Sequence, residues 1–303
     1  MNPVLSHNNK AVLVAIILAF SFALMGVWIR MMGDSFATFQ QVYLRILIAG
    51  ILAFIFFKKK RSAQLFRNIN RHEWTVYSIR AFAGYTIGVA AFTVAIQNTD
   101  LGVVSFVSSI PILGVLAWMM FREKIPRASL PFVLLSVVGL LFVTRFNIHN
   151  VHFGVGEVAS IIGMLGFDIG YLMSRMHNKD KNNYENTTIL LLIGWIPLFL
   201  ISIIHHEHII PQSITLVAIL GLILSSVQNV VGLYATNYVF TNLKGYVAGN
   251  ILLLEGLFAL TIGYFLYDEK VTWALAIGGL IITACALAIN QVERKRSNAN
   301  ELE

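Results

Sequence analysis

Apolar positions along this chain come in runs of about twenty residues, with short polar clusters between them. The runs fall at roughly 11–32, 36–57, 74–96, 102–121, 128–145, 154–175, 187–205, 213–239, 247–267 and 271–291. A helix needs about 20 apolar residues to cross the hydrocarbon of a bilayer, so the pattern predicts ten transmembrane helices. The longest gap, about 16 residues between the second and third runs, leaves no room for a large soluble domain. The first run is longer than the apolar core of a cleavable signal, has only Lys10 as a basic flank and lacks a small-x-small exit, so it reads as a span.

Composition agrees. Hydrophobic residues make up 57% of the chain and charged residues 12%, with a mean hydropathy of +0.74. A soluble domain carries about 25% charged residues, and half that value cannot cover a water-facing surface. The net charge of +7 raises the question of nucleic acid, and its distribution answers it. If both termini are cytoplasmic, all 22 Lys and Arg residues except Arg30, Arg45, Arg80, Arg145 and Lys270 fall in cytoplasmic stretches. That asymmetry is the positive-inside rule. It predicts a multi-pass protein of the cell (inner) membrane, with no nucleic-acid partner. Cys285 is the only cysteine, so no intramolecular disulfide forms.

Arg122-Glu123-Lys124 and Asp268-Glu269-Lys270 each close a long apolar run, and another run begins a few residues later. The two glutamates are 146 residues apart, close to half of the 303. Asp100-Leu101-Gly102 and Leu243-Lys244-Gly245 likewise precede the penultimate run of their halves. Five runs lie on either side of His149–Val151. The expected fold is therefore an all-α membrane protein of ten transmembrane helices arranged as two inverted five-helix repeats, residues 1–148 and 149–303. An odd number of spans per repeat turns the second copy over, which puts Glu123 on the cytoplasmic face and Glu269 on the external one. Inverted repeats are how many secondary transporters build two gates around one midplane site.

The stretches Ala95–Thr144 and Asn237–Asn290 each hold a polar turn, a span, a Glu-Lys pair and a further span. With Pro111 ahead of the first Glu-Lys pair and Arg45 in Tyr43-Leu44-Arg45-Ile46-Leu47, the chain resembles the EamA group of the drug/metabolite transporter superfamily over almost its whole length. The second half departs from that group's pattern: it has Glu255-Gly256 where Glu-Pro is usual, and no counterpart to Arg45. The resemblance implies export or uptake of a small metabolite. Members of the group move amino acids, nucleotide-like metabolites, S-adenosylmethionine and drugs.

Ionisable and amide side chains inside the runs are the candidate site, because an ion facing lipid costs several kcal/mol. In the sixth run Glu157, Met164, Asp168, Tyr171 and Arg175 share one helical face. Asp168 lies near mid-membrane, as an anchor for an amine, a proton acceptor, or the partner of Arg45 or Arg80 in a salt bridge. Arg45 and Arg80 could each fork onto a substrate carboxylate. Arg80 leads a face with Gly84 and Gly88, spaced for a packing seam, and lies near enough to the cytoplasmic end to snorkel. In the eighth run Ser225, Asn229, Gly232 and Thr236 share a face beside Gln228, either lining a cavity or bonding between helices. Asn250 and Glu255 point about 140° apart on the ninth. Glu255 matches the family's glutamate and joins Asp168 as a candidate for proton coupling.

His205-His206-Glu207-His208 reads as a loop rather than a metal site, because adjacent positions converge poorly on one ion. No Walker, nucleophile-elbow or His-Glu-x-x-His pattern is present, so neither ATP drive nor an enzyme is expected. Nor is any cofactor. The expectation is a secondary transporter of a small polar metabolite working by alternating access, an amino acid or analogue first. S-adenosylmethionine, or a drug- or nucleotide-like compound, is the alternative, and a non-transporting membrane sensor or scaffold is the rival class. Its partners are a small-molecule substrate and the lipid bilayer, and a monomer is compatible with both.

Overall fold

The computed structural model describes residues 3–33, 35–62, 65–67, 69–108, 127–143, 154–173, 176, 181–211, 213–243, 248 and 251–300, the side chains of 3–9, 127, 290 and 293–300 excepted. Among the described residues the regular elements are all helical. They are α1 (Pro3–Met32), α2 (Thr38–Phe56), α3 (Arg71–Ala81), α4 (Ala90–Asn98), α5 (Leu101–Ser108), α6 (Leu130–Val143), α7 (Val155–Met173), α8 (Asn183–Ile204), α9 (Leu216–Asn242), α10 (Leu254–Tyr267) and α11 (Trp273–Asn300). A π-helical stretch, Phe82–Val89, joins α3 to α4.

Among the described residues six helices are long and apolar enough to span a bilayer: Lys10–Met32 of α1, α2, the continuous Arg71–Asn98, α7, α8 and α9. Leu130–Val143, Leu254–Tyr267 and Trp273–Ile289 are shorter apolar helices. Of the expected fourth span only α5 lies in the described residues, and Glu123 and Pro111 fall outside them. Helices α3 and α8 begin before their apolar runs for a local reason. Asn70 and Asn182 each cap the backbone N–H three residues on, and Glu73 and Glu185 return the bond to the cap residue's own N–H. These reciprocal boxes give polar first turns a helical start.

The chain forms two compact units that interleave in sequence. Met1–Ala23, Thr99–Ile161 and Val239–Glu303 make one, and Leu24–Asn98 with Ile162–Tyr238 the other. In the first unit α6 packs on α11 and α5 on α10. A Cβ placed on Gly278 would lie 2.6 Å from Gly139 O and 2.8 Å from Val143 N, so those two backbones touch. The Phe106 ring occupies the space beside Gly256 and Gly279. That explains the glycine after Glu255: a bulkier residue would meet the ring.

In the second unit α2 packs along α8, with Ile46, Ala49 and Ala53 against Ile189, Leu190 and Leu191 in one apolar core. Gly221 of α9 sits against Trp28, Met31 and Met32 of α1. Helix α7 lies on the π-helical stretch, where a Cβ on Gly166 would come within 2.6 Å of Gly88 N. The expected glycine seam is present, although Gly84 itself has open space where a side chain would go.

One device appears in both units. Helices α8 and α10 are each followed by a non-glycine residue of positive φ, His206 (55°) and Asp268 (52°), and the next residue is a glutamate that reaches the start of another helix. Glu207 accepts from Phe39 N (3.0 Å) and Gln40 N (2.7 Å) at the N-terminus of α2. Glu269 accepts from Leu101 N (3.1 and 3.0 Å) at that of α5. Each satisfies N–H groups that the helix cannot satisfy itself and sets a negative charge against the positive end of its dipole. The His-rich turn is thus a helix clamp; Gln40 Nε2 also donates to the carbonyls of His208 and Ile209. Glu207→Ala should cost about 1–2 kcal/mol and lower the unfolding midpoint in detergent. An unchanged midpoint would show that the clamp carries no stability.

Candidate substrate-binding site

Six of the eight expected site residues, Arg45, Arg80, Asp168, Tyr171, Gln228 and Asn229, fall in the second unit. Glu255 falls in the first, half-buried, with Ser105 Oγ 3.4 Å from its carboxylate. Asn250 lies outside the described residues.

Helix α7 turns one face to the π-helical stretch through Gly163, Gly166 and Gly170. Asp168 stands about 200° round the helix from both Gly166 and Gly170, away from that seam and on the face of Met164. It is 9% exposed, and its Oδ2 has no hydrogen-bond partner among the described residues. The Tyr171 ring, one turn on, stacks against Phe167 (6.3 Å, 15°).

Arg45 is fully buried (0% exposed). Its Nη2 donates to Thr93 Oγ1 at 2.6 Å and its Nη1 reaches Met25 Sδ at 4.0 Å. Its Nε has no partner among the described residues. One turn earlier on the same face of α2, Gln41 is also fully buried, with both amide atoms unpaired among the described residues. Neither Gln41 nor Thr93 stood out in the sequence. The available signal was the four-residue step from Gln41 to Arg45, which stacks two polar groups on one side of an apolar helix.

Arg80 is held differently. Its Nε donates to Gly170 O (3.1 Å) and its Nη2 to Asn237 Oδ1 (2.7 Å), and the residue is 4% exposed. It does not snorkel: the glycine-lined contact with α7 brings a backbone carbonyl within its reach. Among the described residues the salt bridge to Asp168 is absent. On α9 the polar residues bond locally. Ser225 bonds to Leu222 O, Asn229 to Ser225 O and Thr236 to Gly232 O, so each spends a donor on its own helix. Gln228 instead turns across to α1, where its Oε1 accepts from Trp28 Nε1 at 2.6 Å.

What distinguishes this set is one guanidinium and one carboxylate, both buried in the same unit and neither given an ionic partner among the described residues. Burying an unpaired ion costs several kcal/mol, and buried polar atoms almost always have partners. Arg45 can donate to an anion, and Asp168 can accept from a cation or take a proton.

Similarity to known proteins bears on the class. A WAT1-related chloroplastic protein of Arabidopsis thaliana is 24% identical over 258 residues, 81% of this chain, and the match spans 61% of that protein's length. A solved crystal structure aligns with 95% of this chain and 98% of its own, with a TM-score of 0.65 at 14% identity, which speaks to the fold alone. The EamA-like transporter family matches twice, over residues 9–145 and 154–291. With both matches covering most of the sequence, the chain is a multi-pass membrane protein of the drug/metabolite transporter type and belongs to the EamA-like transporter family.

Proposed function

We propose that this transporter moves a small zwitterionic metabolite, an amino acid or a close analogue, with its carboxylate on Arg45 and its amine on Asp168. The observation that carries this reading is a pair of buried, opposite charges in the second unit with no ionic partner among the described residues. A zwitterion supplies both missing counter-charges at once. A neutral drug supplies neither, and a plain cation leaves Arg45 unpaired.

Alternating access by two inverted repeats, residues 1–148 and 149–303, completes the reading, with both termini cytoplasmic as the basic loops require. Helix packing supports it. Numbering the expected spans one to ten, α2 and α8 are the second and seventh, α5 and α10 the fourth and ninth, and α6 and α11 the fifth and tenth. Each pair joins positions five apart, as a twofold axis relating the halves would demand. The family's two matches, one in each half, support it too.

The test is uptake into proteoliposomes containing the purified chain. A labelled amino acid should be competed by other zwitterions. Analogues lacking either the amine or the carboxylate should bind about tenfold more weakly or worse, since a lost charge-assisted bond removes about 1.5–3 kcal/mol. Transport of S-adenosylmethionine with no competition from amino acids, or indifference to loss of either charged group, would overturn the assignment.

A further inference from the structure

The connection between α2 and α3 has a role that substrate transport does not account for. On α2 an exposed apolar set, Ile51, Phe54, Ile55 and Phe56, runs directly into Lys58, Lys59 and Lys60, all three exposed. From the start of the π-helical stretch back along α3, exposed Phe82, Ile79 and Trp74 lead to within one turn of Arg71, which is also exposed. Two lipid-facing surfaces thus terminate at basic residues on the same connection. Between them Phe66 (45% exposed) stacks on Trp74 (37% exposed), rings 6.0 Å apart and 8° from parallel. A parallel aromatic pair held at an apolar-to-basic border has the character of a membrane-interface anchor.

The described residues of the connection are tied down. Ser62 N donates to Glu185 Oε1 (3.0 Å), Asn182 Nδ2 to Lys60 O (3.0 Å) and Lys181 Nζ to Leu65 O (3.1 Å), so the start of α8 holds it from beneath. Arg61 folds over the Phe54 ring (3.8 Å) and donates to Phe54 O. The nearby carboxylates of Glu73 and Glu185 are both taken up in helix caps. Among the described residues of this connection, no acid is left over to neutralise Lys58, Lys59 and Arg71.

We infer that the described residues of this connection and the first turn of α3 form a binding site for the headgroup of an anionic phospholipid. The phosphate sits among Lys58, Lys59 and Arg71, and the first methylenes of the acyl chains lie against the Phe66–Trp74 pair. Basic residues beside a span attract anionic headgroups, and the exposed aromatics give the chains a fixed place to lie. A soluble anion would use the charges and ignore the rings, so the pairing of the two favours a lipid.

The purified chain in uncharged detergent tests this with dioctanoyl-phosphatidylglycerol, dioctanoyl-phosphatidylcholine and inorganic phosphate as probes. Phosphatidylglycerol should raise the unfolding midpoint saturably, and the other two should not. Lys58→Gln/Lys59→Gln/Arg71→Gln should weaken its apparent affinity roughly a hundredfold, about fivefold per charge. Lys58→Arg/Lys59→Arg should keep it. Phosphatidylglycerol with brominated chains should quench tryptophan fluorescence in the parent protein, and Trp74→Phe should remove that part of the quenching. Equal effects of phosphatidylcholine would overturn the headgroup assignment, and equal effects of phosphate would make this a free-anion site. Undiminished affinity in the triple glutamine variant, or quenching indifferent to Trp74, would also overturn it.

Discussion

Asp168→Asn should abolish transport while leaving the protein as stable as before, or slightly more so. The substitution preserves the shape of the side chain and removes its charge. Since Oδ2 has no partner among the described residues, the folded state loses no bond and is relieved of a buried ion. The substrate loses its counter-charge, about 1.5–3 kcal/mol for a charge-assisted bond, so uptake should fall at least tenfold to a hundredfold, and pH dependence arising from this group should vanish. Proteoliposome uptake and detergent unfolding, measured on the same preparation, separate the outcomes. Normal uptake at every pH would remove Asp168 from the site. Loss of folding would mean that the carboxylate holds the helices together. Activity that falls while stability holds or rises is the usual mark of a group kept for function against the interest of the fold.

The second large effect is structural. Gly166→Val should unfold the seam between α7 and the π-helical stretch, because its Cβ would lie 2.6 Å from Gly88 N, 2.7 Å from Ala83 O and 2.8 Å from Gly88 Cα. All three are backbone atoms, which cannot turn aside as a side-chain tip can. Overpacking of this kind costs about 1–3 kcal/mol or more, enough to lower folded yield sharply. The matched control is Gly84→Ala, where an added Cβ meets nothing within 4 Å. It should be neutral, or slightly stabilising through the unfolded chain. Equal behaviour of the two variants in a thermal-unfolding assay would refute this account of the seam.

Much of this could be read in the sequence because hydrophobic length and glycine spacing are local signals. The long spans and the Gly84–Gly88 face follow from them, and Asp168 stands out as an ionisable residue inside an apolar run. The π-helical widening at Phe82–Val89 did not follow, since nothing in Phe-Ala-Gly-Tyr-Thr-Ile-Gly-Val departs from an ordinary apolar helix. On α9 composition alone does not show that Ser225, Asn229 and Thr236 each spend a donor on their own helix. Gln41 by itself carries no distinct signal, because an amide near a helix start looks like part of the border. The sequence does not reveal Glu269 or Glu207 as a cap, since each meets its partners far away in the chain.

That distance bears on how the protein is made. Phe39 and Glu207 are 168 positions apart, and so are Leu101 and Glu269. At about 5–20 residues per second, the starts of α2 and α5 leave the ribosome roughly 10–30 s before the carboxylates that complete them. During that interval their bare amides sit where a growing chain is handed to the bilayer. The first half of this transporter is thus born unfinished, and until the second half arrives it depends on water, lipid headgroups or the insertion machinery to cover those two helix ends.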